Sequence, residues 1–209
     1  ATRKERSDFV GTPLANSLHQ LDFDKTIKAN VAFGCQVGPA EHFNHVIDNG
    51  VESNILVFVR EDVFFDYYFV GQRLAEGIEV FDIVGIAGNK QCLPGQTSWN
   101  PPDGKRGLSG IVSRNRFMFA PVEALGPVPA PCEVLSGAVL AAKRSTLRDK
   151  GVHFDPSFTE AYYDLDFCRI ARAAGLRLGT WPIAATFRPD DDPDTEARQA
   201  DLRHYMEKW

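Results

Sequence analysis

No apolar run in this sequence approaches the roughly 20 residues that a membrane-crossing helix needs. The longest candidate, Ile55 to Val59, is strand-sized. The opening ATRKERSDF is polar and holds no hydrophobic signal segment. Cysteine is sparse: Cys35, Cys92, Cys132 and Cys168 are widely spaced and form no C-x-x-C pair. That pattern indicates reduced, partly buried thiols rather than a disulfide frame or zinc knuckle, and a cytoplasmic setting is expected. Beyond Arg3, Lys4 and Arg6 no basic cluster stands against a net charge of -5, which argues against a nucleic-acid partner. Metalloprotease, catalytic-triad and P-loop signatures are absent, as are internal repeats and low-complexity tracts. His42 and His45 share a helix face at spacing three, but no third zinc ligand accompanies them.

What is there is an ordinary globular composition, 44% hydrophobic and 24% charged, in 209 residues, the length of one domain. The first half alternates helical and strand patterns. Asp8 to Leu21 reads as a helix capped by Ser7 or Asp8, and Thr26 to Phe33 as a strand. Gly38-Pro39 opens a second helix that Gly50 closes, with Ala40, Phe43 and Ile47 on one face. Asn54 to Val59 reads as a strand buried on both faces. Asp66 then begins a helix with Tyr67, Val70 and Leu74 inward, before a buried strand from Phe81 to Ala87. This alternation implies βαβ units and a mostly parallel central sheet flanked by helices.

Seven of the 13 prolines fall between Cys92 and Cys132, where irregular loops and one hairpin around Ile111 to Phe119 are expected. Regular structure resumes with a strand from Glu133 to Ala142 and a short helix from Ser145. A helix from Asp164 to Ala174 and a strand from Leu176 to Trp181 come next. The last helix follows Asp194, with Leu202, Tyr205, Met206 and Trp209 in one stripe.

Two acidic groups stand where chemistry is expected. Arg60-Glu61-Asp62 follows the strand NILVFV, and ligands of open α/β sheets bind beyond the carboxyl ends of strands. Adjacent carboxylates there suit a hard divalent cation shared with substrate phosphates, although a solvated acidic turn has the same composition. The second is Tyr163-Asp164-Leu165-Asp166-Phe167-Cys168-Arg169. Acids in a first helical turn are favoured by the macrodipole alone, yet a carboxylate placed there can also act as general base toward a hydroxyl.

NILVFVREDV followed by a helix and FDIVGIAGNK, then LSGAVLAAKRSTL, GVHFDPSF and YYDLDFCRIARAAGLRLGTWPI, resembles in order and spacing the family 2-like glycosyltransferases of the Rossmann-like GT-A fold. The resemblance runs from Ala1 to about Ile183. It implies a single catalytic domain: a nucleotide-binding half over 1–90, a Pro/Gly-rich excursion over 91–131, an acceptor half over 132–185, and a tail and C-terminal helix over 186–209. The implied activity is inverting, metal-assisted transfer of a sugar from a nucleotide-diphosphate sugar to a hydroxyl of a glycan, lipid or protein.

On this resemblance Asp62, supported by Glu61, holds Mn²⁺ or Mg²⁺ against the donor diphosphate, and Asp164 is the catalytic base with Asp166 beside it. Thr2, Arg3, Asn44, Arg60, Ser136 and Gly137 fall on the donor side. Trp99, a candidate for stacking on a sugar, falls with Tyr163 and Arg169 on the acceptor side. The sequence departs from the family pattern at three places. Arg60 stands where relatives often have His, Ser136 where an Asp usually precedes the Gly, and Thr186-Phe187-Arg188 lacks a metal-binding His. Asp190, Asp191 and Asp192 are the nearest oxygen donors. Two other readings remain open: a non-catalytic relative that binds glycan or nucleotide, and a sugar-1-phosphate nucleotidyltransferase, for which Gly11-Thr12-Pro13 is a poor phosphate loop.

Overall fold

The computed structural model describes residues 1–36, 38–50, 54–100, 107–113, 122–187 and 195–209. The single helix expected from Asp8 to Leu21 is two: α1 (Arg6–Phe9) and α2 (Pro13–Gln20). Pro13 has no N–H to continue a helix. Thr12 instead takes extended geometry as N-cap, its side chain accepting from the Ala15 N–H at 3.2 Å. Thr26 to Phe33 forms no strand ladder. The end of this stretch is tied to the N-terminus, Thr2 N–H donating to Ala32 O and Cys35 N–H to Thr2 O.

The helix opened by Gly38-Pro39 is α3 (Pro39–Asn49), with Ala40 and Ile47 buried as the periodicity requires. β1 (Ile55–Val59) follows. After β2 (Phe64–Phe65) the next helix starts later than Asp66, as α4 (Val70–Val80). Asp66 accepts from the Thr186 hydroxyl and its N–H donates to Ala184 O, so Tyr67 is held in an exposed segment rather than on an inward helix face.

The strand expected from Phe81 to Ala87 divides into β3 (Ile83–Gly85) and β4 (Ala87–Asn89), which belong to different sheets. The excursion supplies a hairpin of β5 (Leu108–Ser113) and β6 (Val122–Gly126), then β7 (Ala130–Cys132). The strand expected from Glu133 to Ala142 is β8 (Val134–Leu135) and β9 (Val139–Lys143), broken by the turn at Ser136-Gly137-Ala138. α5 (Arg144–Asp149), α6 (Tyr163–Ala173), β10 (Leu178–Thr180) and β11 (Ala185–Thr186) lead to α7 (Glu196–Lys208). On α7 Tyr205 is buried, but Met206 and Trp209 are exposed, so the predicted stripe holds only in part.

The strands form one sheet in the order β1-β9-β3-β10-β7 and a second in the order β2-β11-β5-β4-β8, with β6 added to β5. Among the described residues only β3 with β10 and β5 with β11 run parallel. The other ladders are antiparallel, which corrects the expected mostly parallel sheet. The reason is β9. The segment β1-α4-β3 is the crossover that the sequence pattern describes, but β9 lies between β1 and β3 and is antiparallel to both. Periodicity reports a strand's burial and not which distant strand comes to lie beside it.

β1 is consequently an end strand, and Val57 is 39% exposed, so it is not buried on both faces. A cavity of about 640 Å³ runs along β1, lined by Leu14, Leu21, Phe43, Leu56, Phe58 and Leu74 among others; neither Asp62 nor Asp164 lines it.

One aromatic cluster joins β1 to α6. Phe154 stacks on Phe167 with centroids 4.0 Å apart and packs at 5.1 Å against both Phe43 and Phe58. Tyr163, at the start of α6, lies 6.3 Å from Phe154. Phe154→Ala is expected to destabilise the protein by about 3–5 kcal/mol, the usual cost of emptying a buried aromatic site. Equilibrium urea unfolding measures it.

Candidate active site

The end of β1 and the start of α6 come from opposite halves of the chain, and the turn between β8 and β9 brings them together. Arg60 N–H donates to Ala138 O at 3.0 Å. One residue earlier in the same turn, Gly137 N–H donates to the Asp164 carboxylate at 2.7 Å. Glycine is required there: a Cβ at 137 would stand 2.7 Å from both Cβ and Oδ2 of Asp164. Ser136 is buried, and its hydroxyl accepts from Ala138 N–H at 3.3 Å, closing the turn.

α6 begins with strain. Tyr162, its N-cap, has φ 59, a left-handed conformation that costs a non-glycine residue on the order of 1–3 kcal/mol. Its ring stacks on Tyr205 at 5.5 Å, with the Arg198 guanidinium 5.7 Å from its centroid. The preceding loop is tied to α7, where buried Asp201 accepts from the backbone N–H groups of Thr159, Glu160 and Ala161. These contacts fix the first turn of α6, where Asp164 also accepts from Leu165 N–H at 2.9 Å. Burial raises the Asp164 carboxyl above its ordinary value; the hydrogen bonds from Gly137 and Leu165 and the charge of Arg60 oppose the rise without cancelling it.

The Arg60-Glu61-Asp62 group is already internally paired. The Arg60 fork is bidentate on Asp62, Nε to Oδ1 at 3.0 Å and a terminal nitrogen to Oδ2 at 2.8 Å. Glu61 accepts from the Thr2 hydroxyl and pairs with Lys4 at 2.8 Å. Burial pushes the Glu61 carboxyl up, but its bonds to Lys4 and Thr2 outweigh that and hold it below its ordinary value. Among the described residues no three His, Cys, Asp or Glu side chains form a group that could hold a metal ion. To hold Mn²⁺ or Mg²⁺, Glu61 and Asp62 would have to share their oxygens with Lys4 and Arg60. Arg188, Asp190, Asp191 and Asp192 lie outside the described residues, and Phe187 is buried in the core.

The other sequence candidates have structural occupations. Asp166 is fully buried and meets Lys208 Nζ and Trp209 Nε1, both at 2.8 Å, so it anchors the end of α7 and is not open to a substrate. Trp99 is 6% exposed within the core, and its face is not available to stack on a sugar. Asn44 donates to Phe154 O and accepts from Phe154 N–H, pinning that loop. Arg3 is exposed and pairs with Glu160 at 2.6 Å. Arg169 donates to the Tyr205 hydroxyl at 2.7 Å and lies 5.4 Å from the Trp209 ring centroid, while half-buried Tyr163 belongs to the aromatic cluster. Sequence reading missed the contributions of Lys4, Asp201 and Lys208. Their only signal is charge, which reveals no partner before the chain folds.

No family model matches the chain, and no curated protein matches it significantly. Solved structures do. The fold is that of A197 from STIV. Its crystal structure superposes with a TM-score of 0.51 at 14% identity, over 88% of this chain and 91% of that one. Two crystal structures of TarS from S. aureus, one of them of 1–349, give TM-scores of 0.41 and 0.48 at 16% identity. They cover 82% and 95% of this chain, which spans only 48% and 40% of theirs. At these identities the likeness to A197 is one of fold. No helix among the described residues is long and apolar enough to cross a membrane.

Two outcomes follow from the turn at Ser136-Gly137-Ala138. Gly137→Ala is expected to cost about 1–3 kcal/mol through overpacking against Asp164, measured by urea unfolding, with lost hydrogen-exchange protection at amide 137. Asp164→Asn keeps an acceptor for Gly137 but removes a half-buried charge. Because folding raises this carboxyl's pKa, its ionisation disfavours the folded state once pH exceeds the ordinary value of 3.8. The variant should thus withstand more urea than wild type at neutral pH, with the advantage fading as pH falls toward 3.8 and absent below it.

Proposed function

We propose that the chain transfers a sugar from a nucleotide-diphosphate donor to a hydroxyl acceptor, with inversion at the anomeric carbon. The observation that carries this reading is the Ser136-Gly137-Ala138 turn, which bonds the Arg60 backbone at Ala138 and the Asp164 carboxylate at Gly137. Arg60 and Asp164 belong to the two acidic motifs within the ordered segments that resemble family 2-like glycosyltransferases, and the A197-like α/β fold agrees with that resemblance. In this reading the acceptor hydroxyl gives its proton to the Asp164 carboxylate. Its oxygen bonds to the anomeric carbon, and the bond from that carbon to the diphosphate oxygen breaks, its electron pair leaving with the nucleoside diphosphate. Burial suits Asp164 to the task, since a carboxylate with a raised pKa is a stronger proton acceptor. Thr2 and the Ser136-Gly137 turn fall on the donor side, and Tyr163 and Arg169 on the acceptor side.

Incubation with a panel of nucleotide sugars is expected to release nucleoside diphosphate. Asp164→Asn should slow that release by about 10²–10⁴-fold, the usual contribution of a general base, and leave nucleotide affinity intact. Equal turnover in the variant would remove Asp164 from its role. Nucleotide binding without turnover of any donor would mark a non-catalytic relative, and pyrophosphate released from a nucleoside triphosphate would mark a nucleotidyltransferase.

A further inference from the structure

Within the proposed donor site the acidic pair already has cations of its own. Arg60 leaves β1 with its backbone fastened to Ala138, which fixes the base of its side chain at the sheet edge beside Asp164. Its guanidinium lies flat against Asp62, using two donors on the two carboxylate oxygens. The pair is partly open to solvent, the side chains being 26% and 30% exposed. A divalent cation on Asp62 would sit beside the guanidinium, cation against cation. Glu61 presents the same obstacle, being bonded to Thr2 and Lys4. A phosphate must also part the pair, but it offers the guanidinium fork the same pair of oxygens that a carboxylate does and carries more negative charge, so Arg60 keeps an anionic partner.

We infer that Arg60 is the cationic group that receives the donor's diphosphate, and that Asp62 is a positioning residue that holds the Arg60 fork toward the Asp164 side of the turn until the phosphate replaces it. The inference rests on the sugar-transfer reading and changes its chemistry. The charge that grows on the leaving diphosphate is met by a guanidinium carried by the chain itself, and Asp62 competes with the substrate rather than binding it through a metal.

The two roles for Asp62 predict opposite results. Inorganic pyrophosphate and uridine and guanosine diphosphates are titrated by calorimetry into wild-type protein, Arg60→Gln, Arg60→Lys and Asp62→Asn, in EDTA and again with Mn²⁺. Thermal unfolding by circular dichroism verifies that each variant is folded. If Arg60 is the diphosphate group, wild type binds in EDTA. Arg60→Gln then weakens binding about tenfold or more, the loss of a charge-assisted contact. Arg60→Lys restores part of it as a point charge, and Asp62→Asn binds more tightly than wild type because it frees the fork. Binding that requires Mn²⁺ and is abolished by Asp62→Asn would overturn the inference and leave the sugar-transfer reading standing. Absence of diphosphate binding under both conditions would overturn both.

Discussion

A single hydrogen bond, from the Gly137 amide to the Asp164 carboxylate, is the point on which the candidate site depends. It crosses from the β8–β9 turn to the first turn of α6, and its 2.7 Å length leaves no room for a Cβ between them. A half-buried carboxylate is costly unless its oxygens are satisfied. Here backbone amides satisfy them, one from the turn and one from the helix's own N-terminus. The macrodipole of α6 adds in the same sense. These bonds hold Asp164 in one orientation, while burial, which outweighs them, keeps it more basic than a carboxylate in water.

Holding that bond in register falls to the rest of the molecule. From one side the Phe43, Phe58, Phe154 and Phe167 cluster presses α6 toward β1. From the other, α7 reaches across: Asp201 gathers three amides of the loop before α6, and Lys208 and Trp209 close on buried Asp166. The strained backbone at Tyr162 lies between these supports, where surrounding packing offsets its cost. The terminal helix is thus part of the site's foundation although it contributes no group to the site's chemistry.

Much of the local structure was legible along the chain. Pro39 and Gly50 bound a helix, Ile55–Val59 is a strand, and α5, α6 and α7 begin within two residues of their expected starts, because caps, prolines and apolar spacing are local signals. The two helices read as one across Gly11-Thr12-Pro13 were separable on the same grounds, since Pro13 forbids a continuous ladder. The misassigned helix start at Asp66 was not, for it is decided by Thr186 and Ala184 more than a hundred residues away.

Residue types by themselves determined that the chain is an α/β protein, and they marked the two acidic motifs worth attention. Tertiary structure alone decided what those motifs are paired with. It placed β9 between β1 and β3 and so reversed the expected strand sense. It buried Asp166 and Trp99, which composition had left available, and it turned Arg60 onto Asp62. The physical reason is common to all three: burial, strand neighbours and ion pairing are relations between residues far apart in sequence, and one-dimensional spacing carries no term for them.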